Sequence, residues 1–243
     1  MRSARTRPPA RSSRRRAVAA LVTAALGAIL SGCGSMGGAQ QVIDRSHLVN
    51  EMASRLDHAS ELTYTADYRL ADGERATIAQ TQDPRRAAYT YPGGKFATTP
   101  DATVDCRVDN GATTCTLTAP PSPSTDATTM LLNALRDRSL VPPTLVVGLL
   151  TAASLSPDTV IKQHDTTLAG EHATCISVSG VENSAASQFD ACITSAGVLG
   201  SFKGTVNSKE MEVSLNRYVA SVTQDAFDVP GGAQTVDQRL KDS

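Results

Sequence analysis

Tryptophan is absent from the 243 residues, and aromatic residues make up only 4% of them, a composition that argues against a large cavity for an apolar ligand. No GxSxG, HExxH or P-loop spacing occurs, so the acyl-transfer, zinc-hydrolase and phosphate-binding chemistries that depend on those spacings have no support. CxxC is missing too, and His172 stands three residues before Cys175, on the opposite face of an extended strand, so redox and zinc-binding roles for the cysteines have poor support. His47 and His58, with Glu51 one turn from His47, read as a solvated helix face. Ser201 and Lys203 read as ordinary strand neighbours, and Asp105, Arg107 and Asp109 as solvent-facing strand charges. No catalytic residue, metal ligand or cofactor is expected, and the chain is not read as an enzyme.

A long hydrophobic run is also missing. The longest, Ala17 to Leu30, has fourteen residues; as a helix it spans about 21 Å, against a bilayer core of roughly 30 Å. Ahead of it stand Arg2, Arg5, Arg7, Arg11, Arg14, Arg15 and Arg16 with no acidic residue. Basic start, apolar stretch and small residues in that order make an export signal. The signal ends in Leu30-Ser31-Gly32-Cys33, which resembles the lipobox of bacterial lipoproteins. The resemblance implies cleavage after residue 32, a diacylglyceryl group on the Cys33 thiol, and attachment to the outer face of the cell membrane. The alternative is an ordinary secretory signal with an incidental cysteine. Ser13-Arg14-Arg15 is similar to a twin-arginine signal, which leaves the export route open.

Setting Cys33 aside makes the cysteine count even: Cys106, Cys115, Cys175 and Cys192 remain, in an oxidising compartment where pairing is expected. Asn110-Gly111 signals a two-residue type I′ hairpin. Counting outward from Asp109 opposite Ala112 sets Cys106 against Cys115 on a non-hydrogen-bonded pair, where side chains come closest. Val104 and Leu117 share that face, while Asp105, Arg107 and Asp109 point the other way. Setting Cys175 against Cys192 collects Ile176, Val178, Phe189, Ala191 and Ile193 on one face, with the bridge on the polar face beside Ser177 and Asp190. A slip of one residue would reverse every side chain, so register and polarity agree only in this pairing.

Positive charge is scarce once the signal is removed. Taking its seven arginines from the 23 basic residues leaves 16 against 24 acidic ones, a net charge of about minus eight that speaks against nucleic acid as a partner. The 211 residues after the signal suffice for one core. Residues 33–43 read as the lipidated cysteine and a flexible tether, 44–233 as a single β-rich domain, and 234–243 as a polar tail. Asp44 offers an N-cap for a helix with Leu48, Met52, Leu56 and Ala59 at helical spacing. Alternating segments then predict strands near Tyr64–Leu70, Ala76–Ile78, Ala87–Tyr91, Lys95–Thr98 and through the disulfide hairpin. Past Pro120, Pro121 and Pro123, Asp126 caps a helix carrying Met130, Leu131, Leu132 and Leu135 that ends near Arg138. Pro142 and Pro143 open a second helix, apolar on nearly all sides and so buried on more than one face. Strands resume at Thr159–His164, Thr174–Val178, Phe189–Thr194 and Val198–Lys203, ending with one carrying Met211, Val213 and Leu215. The expected fold is α+β: a curved antiparallel sheet with the first helix and the helical insert covering one face.

This element order, the mid-chain helices, the "GVLGSFKG" strand after Cys192 and the terminal "FDVP" resemble the LolA-like lipoprotein-sorting superfamily, including the LppX and LprG type lipoproteins. The resemblance implies a half-barrel whose helices plug a cavity for acyl chains. It implies binding or carriage of a lipid or acyl chain, with Leu145, Val146, Leu149 and Leu150 as candidate lining. The alternative is a non-catalytic interaction or regulatory lipoprotein with a solid core and an envelope protein as partner.

Overall fold

The structure, a computed structural model, describes residues 36–121, 127–135 and 140–239. The signal, Cys33, Asp126 and Arg138 lie outside the described residues. The chain divides into two units, Met1–Gln40 and Gln41–Ser243. Of the first, residues 36–40 are described and helical; the second holds every strand among the described residues.

Period-two alternation builds two meanders. The first runs β1 (Tyr64–Leu70), β2 (Arg75–Gln82), β3 (Arg85–Tyr91), β4 (Gly94–Thr98), β5 (Thr103–Asp109) and β6 (Ala112–Thr118). The second runs β7 (Val160–Leu168), β8 (Glu171–Ser179), β9 (Gln188–Thr194), β10 (Leu199–Val206) and β11 (Lys209–Val219). Helix α1 (Met36–His58) precedes them, α2 (Ala127–Leu135) and α3 (Pro143–Leu155) separate them, and a short strand β12 (Gln234–Asp237) follows. One open, curved, twelve-stranded sheet results, in the order β12-β6-β5-β4-β3-β2-β1-β11-β10-β9-β8-β7. The meanders meet in the antiparallel pair of β1 and β11, and among the described residues only β12, beside β6, runs parallel to its neighbour. The architecture is therefore α+β with a mostly antiparallel sheet.

The main core lies on the face that the helices cover. Tyr64, Ala66, Tyr68 and Leu70 of β1 point into it, with Ile78, Tyr89, Phe96, Ile176, Phe189, Ile193, Phe202 and Val213 from the other strands. From α1 come Val49, Met52 and Leu56, and from α3 Val146, Leu149, Leu150 and Ala153. Polar ties fix α1: the guanidinium groups of Arg45 and Arg55 donate to the carbonyls of Thr159 at 3.2 Å and Thr194 at 3.0 Å. The opposite face carries a smaller cluster of Ala88, Ala97, Val104, Cys106 and Cys115 under Phe227. There the Arg86 guanidinium lies 4.4 Å from the centre of the Phe227 ring, and Lys95 Nζ donates to the Asp228 carbonyl at 2.6 Å.

Two boundaries differ from the sequence expectation. Helix α1 begins at Met36, so Asp44 lies within it rather than at its cap, and residues assigned to a flexible tether are helical. Residues 234–237, assigned to a polar tail, form β12; their pairing uses backbone groups, which hydrophobic alternation cannot reveal.

Candidate functional site

Pro143 stands in the first turn of α3, where its fixed φ suits the helix and its missing N–H costs nothing. Val146, Leu149, Leu150 and Ala153 follow at i, i+3, i+4 and i+7, which places them on one stripe, and all four are buried. Leu145, Val147 and Ala152 flank the stripe partly buried, while Leu155 is 79% exposed. The burial is thus one-sided, narrower than the apolar sequence of α3 suggests. The four candidate lining residues come together in the main core. A side chain beside a void wide enough for water retains exposed surface, yet Val146 and Leu150 are each 0% exposed. In this conformation no such space reaches either of them.

The cysteines behave as the hairpin register requires. Cys106 bonds Cys115 and Cys175 bonds Cys192, with Cα separations of 4.0 Å and 3.9 Å that suit non-hydrogen-bonded pairs. Asn110 and Gly111 both have positive φ, 52° and 81°, as a type I′ turn demands. In the second pairing Ile176 faces Ala191 and Val178 faces Phe189. All four cysteines are buried on the face away from the helices, so both bridges are structural staples.

Two surface clefts accompany these features. One, of about 700 Å³, lies where the helix-covered face runs out over β5 and β6, lined by Asp105, Arg107, Asp109, Thr114 and Thr116 with Asn133 of α2. Asp105 Oδ2 accepts from Arg107 Nη2 at 3.1 Å. The charges read as solvent-facing thus stand on the same sheet face as Phe96, past the end of the apolar core. The other cleft, of about 580 Å³, is bordered by Ser177, Asp190, Lys203 and Glu212. Ser177 donates to Asp190, and Lys203 pairs with Glu212 across the β10–β11 strand pair at 2.9 Å. His58 Nδ1 meets Glu61 at 3.4 Å in the open. Among the described residues no three His, Cys, Asp or Glu side chains group to hold a metal, and no helix is long and apolar enough to cross a membrane.

Tyr64, Tyr68 and Tyr89 are buried in the main core, the first two on the inward-facing positions of the alternating stretch TYTADYRL. Tyr68 donates from its hydroxyl to the Leu199 carbonyl at 2.9 Å, and Tyr64 packs 6.0 Å from Tyr218. Burial raises the Tyr64 and Tyr68 phenols well above their ordinary value and pushes Tyr89 up to about 12.

No family model matches the chain. No curated protein matches it either. Among solved structures it is similar to an uncharacterized conserved protein from Thermus thermophilus, at 11% identity and a TM-score of 0.41, covering 82% of this chain and 99% of that one. It is also similar to MucB, at 13% identity and a TM-score of 0.42, covering 84% of this chain and 66% of MucB.

Proposed function

We propose that this chain is an extracytoplasmic lipoprotein, held to the outer face of the cell membrane through Cys33, whose LolA-like domain serves as a non-catalytic interaction or regulatory module of the envelope. The signal layout and the Leu-Ser-Gly-Cys stretch support the anchor. The enclosure of Val146 and Leu150, which have no exposed surface, supports the module, since side chains packed in this way belong to a filled core. The mature chain's acidic balance speaks against nucleic acid as a partner.

Carriage of a lipid or acyl chain is the second reading, and one observation favours it. The hydroxyls of Thr151, Ser154 and Ser156 all donate to carbonyls of α3 itself, so these groups do not pin the helix to the sheet. Leu145, Val146, Leu149 and Leu150 would line a space formed as α3 lifts. Organic extraction of the purified Cys33→Ala protein, followed by mass spectrometry, separates the two without interference from the anchor's own acyl chains. The interaction module yields no lipid near one equivalent per chain. Stoichiometric lipid overturns it in favour of carriage.

A further inference from the structure

The two edges of the sheet are built differently. β7 carries Lys162, His164 and Asp165 exposed along its middle, the kind of charge that keeps an edge strand from pairing with a foreign chain. β6 reads ATTCTLT, with no charge and four threonines in seven residues, a composition that pairs readily. The disulfide register decides what this edge presents. Because Cys106 and Cys115 form a non-hydrogen-bonded pair, Cys115 turns its N–H and C=O away from β5, and Thr113 and Leu117 do the same. β12 takes up these groups: Gln234 to Asp237 align with Thr114 to Leu117, and the Gln238 N–H donates to the Leu117 carbonyl at 2.8 Å. By the two-residue period the Val236 amide points the same way.

β12 brings little beyond this ladder. All four of its residues are exposed, Val236 at 44%, so its apolar contribution is small. Parallel pairing is also the slightly weaker kind. The strand is reached through Gly231-Gly232, with Gly232 at φ +79°, a conformation open to glycine. We infer that β12 is a displaceable cover, and that the β6 edge beneath it pairs with an extended peptide segment of a partner protein, running parallel to β6 as β12 does. The inference rests on the interaction reading. It gives that reading a surface and a partner chemistry: a strand recognised through its backbone.

The test uses a chain truncated after Ala233, the full chain, and the full chain with Val236→Pro, which deletes a donor aimed at β6. Each is isotope-labelled and titrated with a synthetic peptide of residues 233–239 while amide signals are followed by NMR. The expected result is a shift of the Thr113 to Thr118 amides in the truncated and Val236→Pro chains. Binding to the unaltered chain should be at least about ten-fold weaker, because its own tethered strand competes at roughly millimolar effective concentration. Folded truncated and Val236→Pro chains whose Thr113 to Thr118 amides stay unmoved up to millimolar peptide overturn the proposal, as does equal binding to the unaltered chain. A truncated chain that fails to fold overturns the displaceable cover. Stoichiometric lipid in the extraction experiment, by contrast, removes the interaction reading and leaves the titration unaffected.

Discussion

Replacing Val146 by Trp puts about seven extra heavy atoms where the side chain has no exposed surface at all. Its surroundings are side chains of the main core, which includes Leu149, Leu150 and the aromatic residues of β1 and β3. Close-packed interiors accommodate added volume by strained rotamers and backbone shifts, at a cost of roughly 1 to 3 kcal/mol. For a domain of this size each kcal/mol lowers the melting temperature by about 2 to 4 °C, so a fall of roughly 2 to 12 °C is expected. Leu149→Trp should behave alike, being 3% exposed. Thr151→Trp is the control, since Thr151 is exposed on α3 and its melting temperature should hardly move. Differential scanning calorimetry gives the temperatures, and lipid extraction is run on the same samples. Val146 and Leu149 variants as stable as the parent, together with loss of lipid that the parent carries, would refute the packed-core account and place those side chains on a ligand space.

Cys33→Ala is expected to abolish both acylation and membrane retention, and labelled fatty acid on that variant would contradict the anchor. Replacing Cys106 and Cys115, or Cys175 and Cys192, in pairs by Ala should cost roughly 3 kcal/mol each by loop entropy, read as a lower denaturant midpoint; no shift would make the bridges dispensable. Raised phenol pKa values mean that the folded state holds its protons above pH 10 while the unfolded state loses them. Stability present below pH 10 should therefore decline as pH rises beyond it, by up to about 4 kcal/mol per pH unit for Tyr64, Tyr68 and Tyr89 together. Phenolate absorbance and circular dichroism should change in one step, and free ionisation of all tyrosines in a folded protein would refute the coupling. Gly94→Ala should destabilise by roughly 1 to 3 kcal/mol, because a Cβ there runs into the Cys106 carbonyl and stands 2.9 Å from the Tyr91 ring; an unchanged melting temperature would contradict that crowding.

The hairpins were legible because their signals are local and redundant. Asn110-Gly111 sets the turn, the cysteines set the register, and polarity checks it: Cys175 opposite Cys192 buries Ile176 and Val178 together. The helical insert was legible from Pro143 and the apolar run after it. Which face of a hairpin meets the main core was not. Val104, Cys106, Cys115 and Leu117 form an apolar row, yet that row faces the Phe227 cluster, and Asp105 lies on the side of Phe96. Sheet curvature and helix placement decide this, and neither is written in one strand. The exposed far end of β7 and all of β12 escaped detection because edge strands pair by backbone and need no alternation. For Leu149 and Leu150 the apolar run makes burial plain, but which side of α3 is covered, and whether the buried space is full, depends on the shapes of partners distant in sequence.

The junction of the two meanders has a kinetic consequence. Within each meander, pairing links chain neighbours across short turns, and such contacts form on the microsecond scale of hairpins. The β1–β11 pair instead joins Thr65 to Val219, residues 154 apart in the sequence. Closing so long a loop, compared with one of ten residues, takes about four doublings of length and roughly 2.4 kcal/mol of additional chain entropy. That seam is the step at which refolding should slow, with the tyrosines of β1 entering their apolar setting only as it closes. A substitution at the seam such as Tyr68→Ala should therefore retard the final ordering of the chain while leaving the early hairpins of either half intact.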